Sequence, residues 1–187
     1  MPYIINYELH KNMFNPLIEE GITIEPDVIR RKNMKRTDYK LLAAQAKSLV
    51  EDVPHFIANL ANISALIYDS LDDLNWAGFY LLQGDKLVLG PFQGKVACVE
   101  IPLGKGVCGT AAGSDTTQLV PDVHLFEGHI ACDSASRSEI VVPIHFRGDL
   151  VGVLDIDSPS KDRFSEEDRE GLEKMVSLLE EMEVFGA

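Results

Sequence analysis

Along this chain of 187 residues, hydrophobic and polar positions repeat in three different ways. Residues 1–33 hold no sustained period and are punctuated by Pro16, Gly21 and Pro26, which predicts an N-terminal extension over 1–36. From Thr37 the spacing becomes helical. Thr37 and Asp38 can cap a helix through KLLAAQAKSLVE, and a second helix is expected from Pro54. Its stripe reads Ile57, Leu60, Ala61, Ser64, Tyr68 and Leu71. The period then falls to two. NWAGFYLLQ and KLVLGPF flank Gly84-Asp85 as a hairpin, and VACVEIP follows as a strand. Residues 104–114 are glycine-rich with the start of a short helix, and 121–137 are irregular. SEIVVPIHF and LVGVLDID form a second hairpin about Arg147-Gly148-Asp149. A last helix begins at Ser165, with Glu166, Glu167 and Asp168 in its positive first turn and Leu172, Met175, Val176 and Leu179 inward. Helices at both ends with hairpins between them predict one α+β domain over 37–187, a central antiparallel sheet with the N- and C-terminal helices packed on it.

Charge narrows the partners. Thirty Asp and Glu against 17 Lys and Arg give a net charge of −13. An acidic surface argues against nucleic acid or an anionic membrane, whose phosphates need a basic face. No apolar run reaches the ~18 residues of a membrane span, and MPYIINYELHKN lacks the basic start and apolar core of a signal peptide. A cytoplasmic location with reduced thiols is the expectation.

Under that expectation three cysteines, Cys98, Cys108 and Cys132, are free thiols. They contain no C-x-x-C pair. One reading makes them small apolar core residues. The other gives at least one a redox or nucleophilic role, because Cys132 lies in HLFEGHIACDSASRSE and Cys108 among glycines, accessible polar settings where a thiolate can form. Zinc held by His124, His129 and Cys132 is a weaker alternative, since structural zinc wants paired ligands on short turns. Gly104-Lys105-Gly106-Val107-Cys108-Gly109 matches G-x-G-x-x-G, but no parallel strand or ribose-binding acid follows. Its glycines are better read as a tight turn with close backbone approach. Asp155 and Asp157 share one strand face, and a hairpin centred on Gly148 sets Glu139 opposite Asp157. Three carboxylates so placed would keep a proton or hold a cation; against this stands a solvated strand end. Trp76 and Tyr80, four apart, share a strand face and can wall an apolar pocket.

NWAGFYLL, LVLGPFQGKVACVEIPLGKGVCGTA, DVHLFEGHIACDSASRSEIVVPI and GVLDIDSP together resemble the free methionine-(R)-sulfoxide reductase family, whose members are GAF-domain enzymes. The resemblance covers roughly residues 37–185. It implies a GAF-like catalytic domain that reduces the free amino acid sulfoxide with little activity on the protein-bound residue. It also implies Cys132 as nucleophile, forming a sulfenic acid, Cys98 as resolving thiol through an intramolecular disulfide, and Cys108 as auxiliary. Glu139, Asp155 and Asp157 would shape the substrate site, and Trp76 and Tyr80 would enclose the methyl-sulfinyl end. No bound cofactor and no metal is implied. Reducing equivalents would come from thioredoxin, itself reduced by NADPH through thioredoxin reductase. A homodimer is left open, and the competing function is a non-catalytic GAF module that senses a small molecule.

Overall fold

The computed structural model describes residues 36–128, 130 and 133–186. Eleven elements follow one another: α1 (Tyr39–Val50), α2 (Phe56–Ser70), β1 (Trp76–Gln83), β2 (Lys86–Gly94), β3 (Glu100–Pro102), α3 (Gly106–Ser114), β4 (Gln118–Val120), a 3-10 turn (Val123–Leu125), β5 (Ser138–Phe146), β6 (Asp149–Ser158) and α4 (Glu166–Glu181). The six strands make one sheet in the order β3-β2-β1-β6-β5-β4, every pair antiparallel. This is the expected α+β arrangement, a central antiparallel sheet with helices packed on it.

Alternation along the strands divides the core in two. Ala77, Phe79, Ile140, Val142, Leu154 and Ile156 face α1, α2 and α4, where they meet Leu42, Leu60, Ile63, Leu172 and Met175. Their strand neighbours Trp76, Tyr80, Val141 and Val153 face the other way, against Val107, Cys108 and Ala111 of α3. The first face is the structural core. The second carries the candidate chemistry.

Helix ends follow their caps. The Asp38 carboxylate accepts from the Lys40 and Leu41 amides and starts α1. Ser165 and Asp168 form a reciprocal capping box on α4. Replacing Ser165 with Ala should cost about 1 kcal/mol, read as a fall in melting temperature of roughly 2–4 °C.

Four expectations need correction. In α2 the buried line is Leu60, Ile63, Ser64 and Ile67, while Ile57 is 58% exposed and Tyr68 38% exposed. The helix has more apolar positions than one face can bury, and the predicted stripe followed its edge. Asn59 enters the buried face because its side chain donates to the Val53 carbonyl at 2.9 Å. The strand VACVEIP shrinks to Glu100–Pro102, leaving 95–99 as loop. A short edge strand, β4, and the 3-10 turn were not anticipated around the irregular segment. Finally, Arg147 and Gly148 alone form the second hairpin's turn, both at positive φ, 54° and 89°. Beyond it a register shift between Ile144 and His145 restores the predicted pairing.

Candidate active site

That bulge matters because it fixes which residues face the chemistry. After it, Val141 opposes Asp155 and Glu139 opposes Asp157. On the far side of β6, β1 places Trp76 opposite Asp157 and Gly78 opposite Asp155. Side chains of directly opposed residues share a face. One row across three strands therefore reads Trp76, Asp157, Glu139, and the next reads Gly78, Asp155, Val141.

α3 lies over these rows. Its approach depends on the glycines of the G-x-G-x-x-G segment, which act as the sequence suggested. Gly104 and Gly106 stand at φ +74° and +62°, and a Cβ on Gly109 would come within 2.4 Å of the Pro102 carbonyl oxygen. The Gly104 amide donates to the Gly109 carbonyl at 2.7 Å. The turn seats Cys108 on the acids. Its Sγ lies 3.7 Å from Glu139 Oε1, and one ligand atom each of Cys108, Glu139 and Asp155 fall within 4.8 Å of one another. These three are buried, while Asp157 is partly exposed.

Burial governs their protonation. It pushes the Asp155 carboxyl up to about 6. It pushes Glu139 well above the carboxylate range, aided by the charges of Asp155 and Asp157. Asp157 rises for the same reasons, burial first and then Asp155. Like charges in so dry a place cannot all ionise at once, so the cluster holds protons near neutral pH. The Cys108 thiol is also raised, by burial first and then by Asp155 and Glu139. The expectation of an accessible, easily ionised Cys108 is thereby corrected: it is 4% exposed and its neighbours oppose a thiolate.

Cys108, Glu139, Asp155 and Asp157 border a common cavity together with Ile130 and Asp133. The space between them is about 20 Å³, room for roughly one water molecule. Trp76 and Tyr80 do not border this space. They stand beside it on the same sheet face, rings 5.8 Å apart and stacked, with Phe92 5.2 Å beyond Trp76. Cys98 lies in loop 95–99, partly exposed. Cys132 and His129 lie outside the described residues, as does most of the backbone at 129–132. His124 of the zinc alternative contacts Asp122, Nδ1 to Oδ1 at 3.3 Å.

Sequence reasoning missed a polar bracket beside the acids. Asn75 Nδ2 donates to Asp133 Oδ2 at 3.1 Å and to Ser136 Oγ at 2.9 Å, and Asp133 Oδ1 accepts the Ala135 amide at 2.9 Å. Hydrogen bonds and Lys95 lower the Asp133 carboxyl, the Ala135 amide contributing most. The Asp133-Ser134-Ala135 turn was the available signal, because aspartate folds back on the amide two residues on.

The chain is similar to known proteins in sequence and in fold. The family model described as GAF domain matches residues 48–181. The free methionine-R-sulfoxide reductase of Escherichia coli is 53% identical over 150 residues, 80% of this chain and 91% of that protein. The structure of fRMsr of Staphylococcus aureus in complex with substrate aligns at 55% identity and TM-score 0.77, covering 82% of this chain and 99% of that one. A free methionine-R-sulfoxide reductase from Neisseria meningitidis, also with its substrate, gives 42% identity and TM-score 0.76 over 82% and 93%.

Proposed function

This chain belongs to the GAF domain family and, within it, to the free methionine-R-sulfoxide reductases, a family of oxidoreductases, and we propose that it reduces free L-methionine-(R)-sulfoxide to methionine. The observation that carries the reading is the buried Cys108–Glu139–Asp155 cluster, whose acids keep protons near neutral pH. A sulfoxide oxygen is lost only when it is protonated or strongly hydrogen-bonded while a thiolate attacks sulfur. Carboxyls raised into this range can supply that proton, which is general acid catalysis by environment.

In this scheme the Cys132 thiolate attacks the sulfoxide sulfur, the oxygen passes to Cys132 as a sulfenic acid, and methionine leaves. The Cys98 thiol then attacks the sulfenic sulfur, so that an S–S bond forms, the S–O bond breaks and water departs. A thioredoxin dithiol reduces the disulfide by exchange and is itself oxidised, with NADPH regenerating it through thioredoxin reductase. No bound cofactor takes part. Carboxylates left ionised receive the substrate ammonium, and the Trp76–Tyr80 stack lies on the side where a methyl group would meet apolar surface.

The test uses three substrates with thioredoxin, thioredoxin reductase and NADPH: the free R-sulfoxide, the free S-sulfoxide and a peptide-bound R-sulfoxide. NADPH oxidation should be at least about 100-fold faster with the free R form, because a peptide removes the ammonium its buried partners await. Comparable rates with the peptide would overturn the reading.

A further inference from the structure

Loop 95–99, which carries Cys98, belongs to no strand and leaves Val96 87% and Val99 66% exposed. Such a loop has little apolar burial of its own to fix it. Its tethers come largely from β1, from the same two residues that form the aromatic stack. Trp76 Nε1 donates to the Lys95 carbonyl at 3.1 Å, and the Tyr80 hydroxyl donates to the Cys98 carbonyl at 3.0 Å. The Leu89 amide donates to the Val99 carbonyl at 2.9 Å and anchors the end. At the start, Lys95 Nζ lies 3.5 Å from Asp133, the residue that follows Cys132 in the sequence. The rings are 2% and 1% exposed, so both donors sit on rigid side chains.

We propose that Tyr80, assisted by Trp76, is a positioning residue for the Cys98 thiol: its hydroxyl holds the Cys98 backbone where that thiol can meet its partner. The proposal rests on the reading of Cys98 as the resolving thiol. It gives the NWAGFY segment two tasks, an apolar wall through its rings and a thiol mount through its N–H and O–H. Thiol attack on a sulfenic sulfur is sensitive to placement, and an error of about 1 Å can cost on the order of 100-fold in rate. Losing one of the two side-chain tethers from β1 should have a smaller effect, about tenfold.

Tyr80→Phe keeps the ring and removes the hydroxyl that donates to the Cys98 carbonyl. Reduced enzyme is mixed with the R-sulfoxide without thioredoxin, quenched over time, and analysed for methionine formed and for free thiols remaining. The ratio of disulfide formation to methionine burst should fall about tenfold, and Trp76→Phe should shift that ratio in the same direction. A general structural defect would slow both steps together, and that result overturns the proposal. Amide hydrogen exchange reads the loop independently of the chemistry. Peptides covering 95–99 should exchange faster in Tyr80→Phe than in wild type, and unchanged exchange also overturns the proposal. If Cys98→Ser forms its intramolecular disulfide at the wild-type rate, the resolving role itself has failed, and hydrogen exchange alone then decides whether Tyr80 holds the loop.

Discussion

Cys132→Ser should lower kcat with the free R-sulfoxide by about 10³-fold or more, because neither remaining thiol can take over the attack. Cys108 is buried, and burial together with Asp155 and Glu139 keeps its proton in place. A thiol reacts through its thiolate, so a site that opposes ionisation opposes nucleophilic attack. Cys98 has its carbonyl fixed by Tyr80 on the loop after β2, and no side chain of that loop borders the acid-lined space. The three single variants separate the roles. On the proposed scheme Cys98→Ser should release about one equivalent of methionine and then stall, because a sulfenic acid on Cys132 would lack its partner thiol. Cys108→Ser should lose less than about tenfold. The measurement is methionine release by chromatography alongside thioredoxin-coupled NADPH oxidation. A Cys132→Ser enzyme that still turns over, beside an inactive Cys108→Ser, would move the nucleophile to α3.

The contrast between Cys108 and the acids shows how far the sequence can be read. The alternation of SEIVVPIHF and LVGVLDID revealed which residues share a face, and the hairpin pairing Glu139–Asp157 followed from it. That pairing was reached through a three-residue turn, whereas the molecule uses a two-residue turn and a bulge that cancel in register. The glycine spacing at 104–109 revealed the tight turn and close approach. It did not reveal that the turn would bury Cys108, because composition reports local polarity and burial is decided by what packs from afar. Here Glu139 and Asp155, more than thirty residues away, turn a cysteine among glycines into a masked thiol. The α2 stripe failed in a related way. Ile57 and Tyr68 fit a helical period as well as Ile63 and Ile67 do, and only the sheet beneath selects between them. Asn75 was invisible because its role joins β1 to a turn near residue 133, a contact no local period encodes.

Asp155→Asn should lower kcat by roughly 100-fold and at the same time make the protein more stable at alkaline pH. The two effects share one cause. Asp155 is 6% exposed, its Oδ1 finds no hydrogen-bond partner among the described residues, and burial pushes its carboxyl up to about 6. In the unfolded chain the same group ionises near pH 4, about its ordinary value. Below pH 4 the group is protonated in both states and costs nothing. Between pH 4 and 6 the unfolded chain ionises this group while the folded protein keeps its desolvated carboxyl protonated, so stability is lost across that window and levels off above it. Two pH units of mismatch correspond to roughly 3 kcal/mol by pH 8. Asparagine has no proton to lose, so the variant's melting temperature should fall less than the wild type's between pH 4 and 8. A residual slope should remain, since Glu139 and Asp157 are raised as well. Removing the Asp155 charge also relieves both neighbours, so their carboxyls ionise at lower pH and less proton is held for the sulfoxide oxygen. Wild-type kcat should therefore decline as pH rises through the apparent pKa of the cluster, and the variant's decline should begin at lower pH. Thermal melts and kcat profiles over pH 4–9 give both readings. A variant with wild-type kcat and an unaltered pH dependence of stability would mean that Asp155 neither holds the proton nor bears the strain of burial.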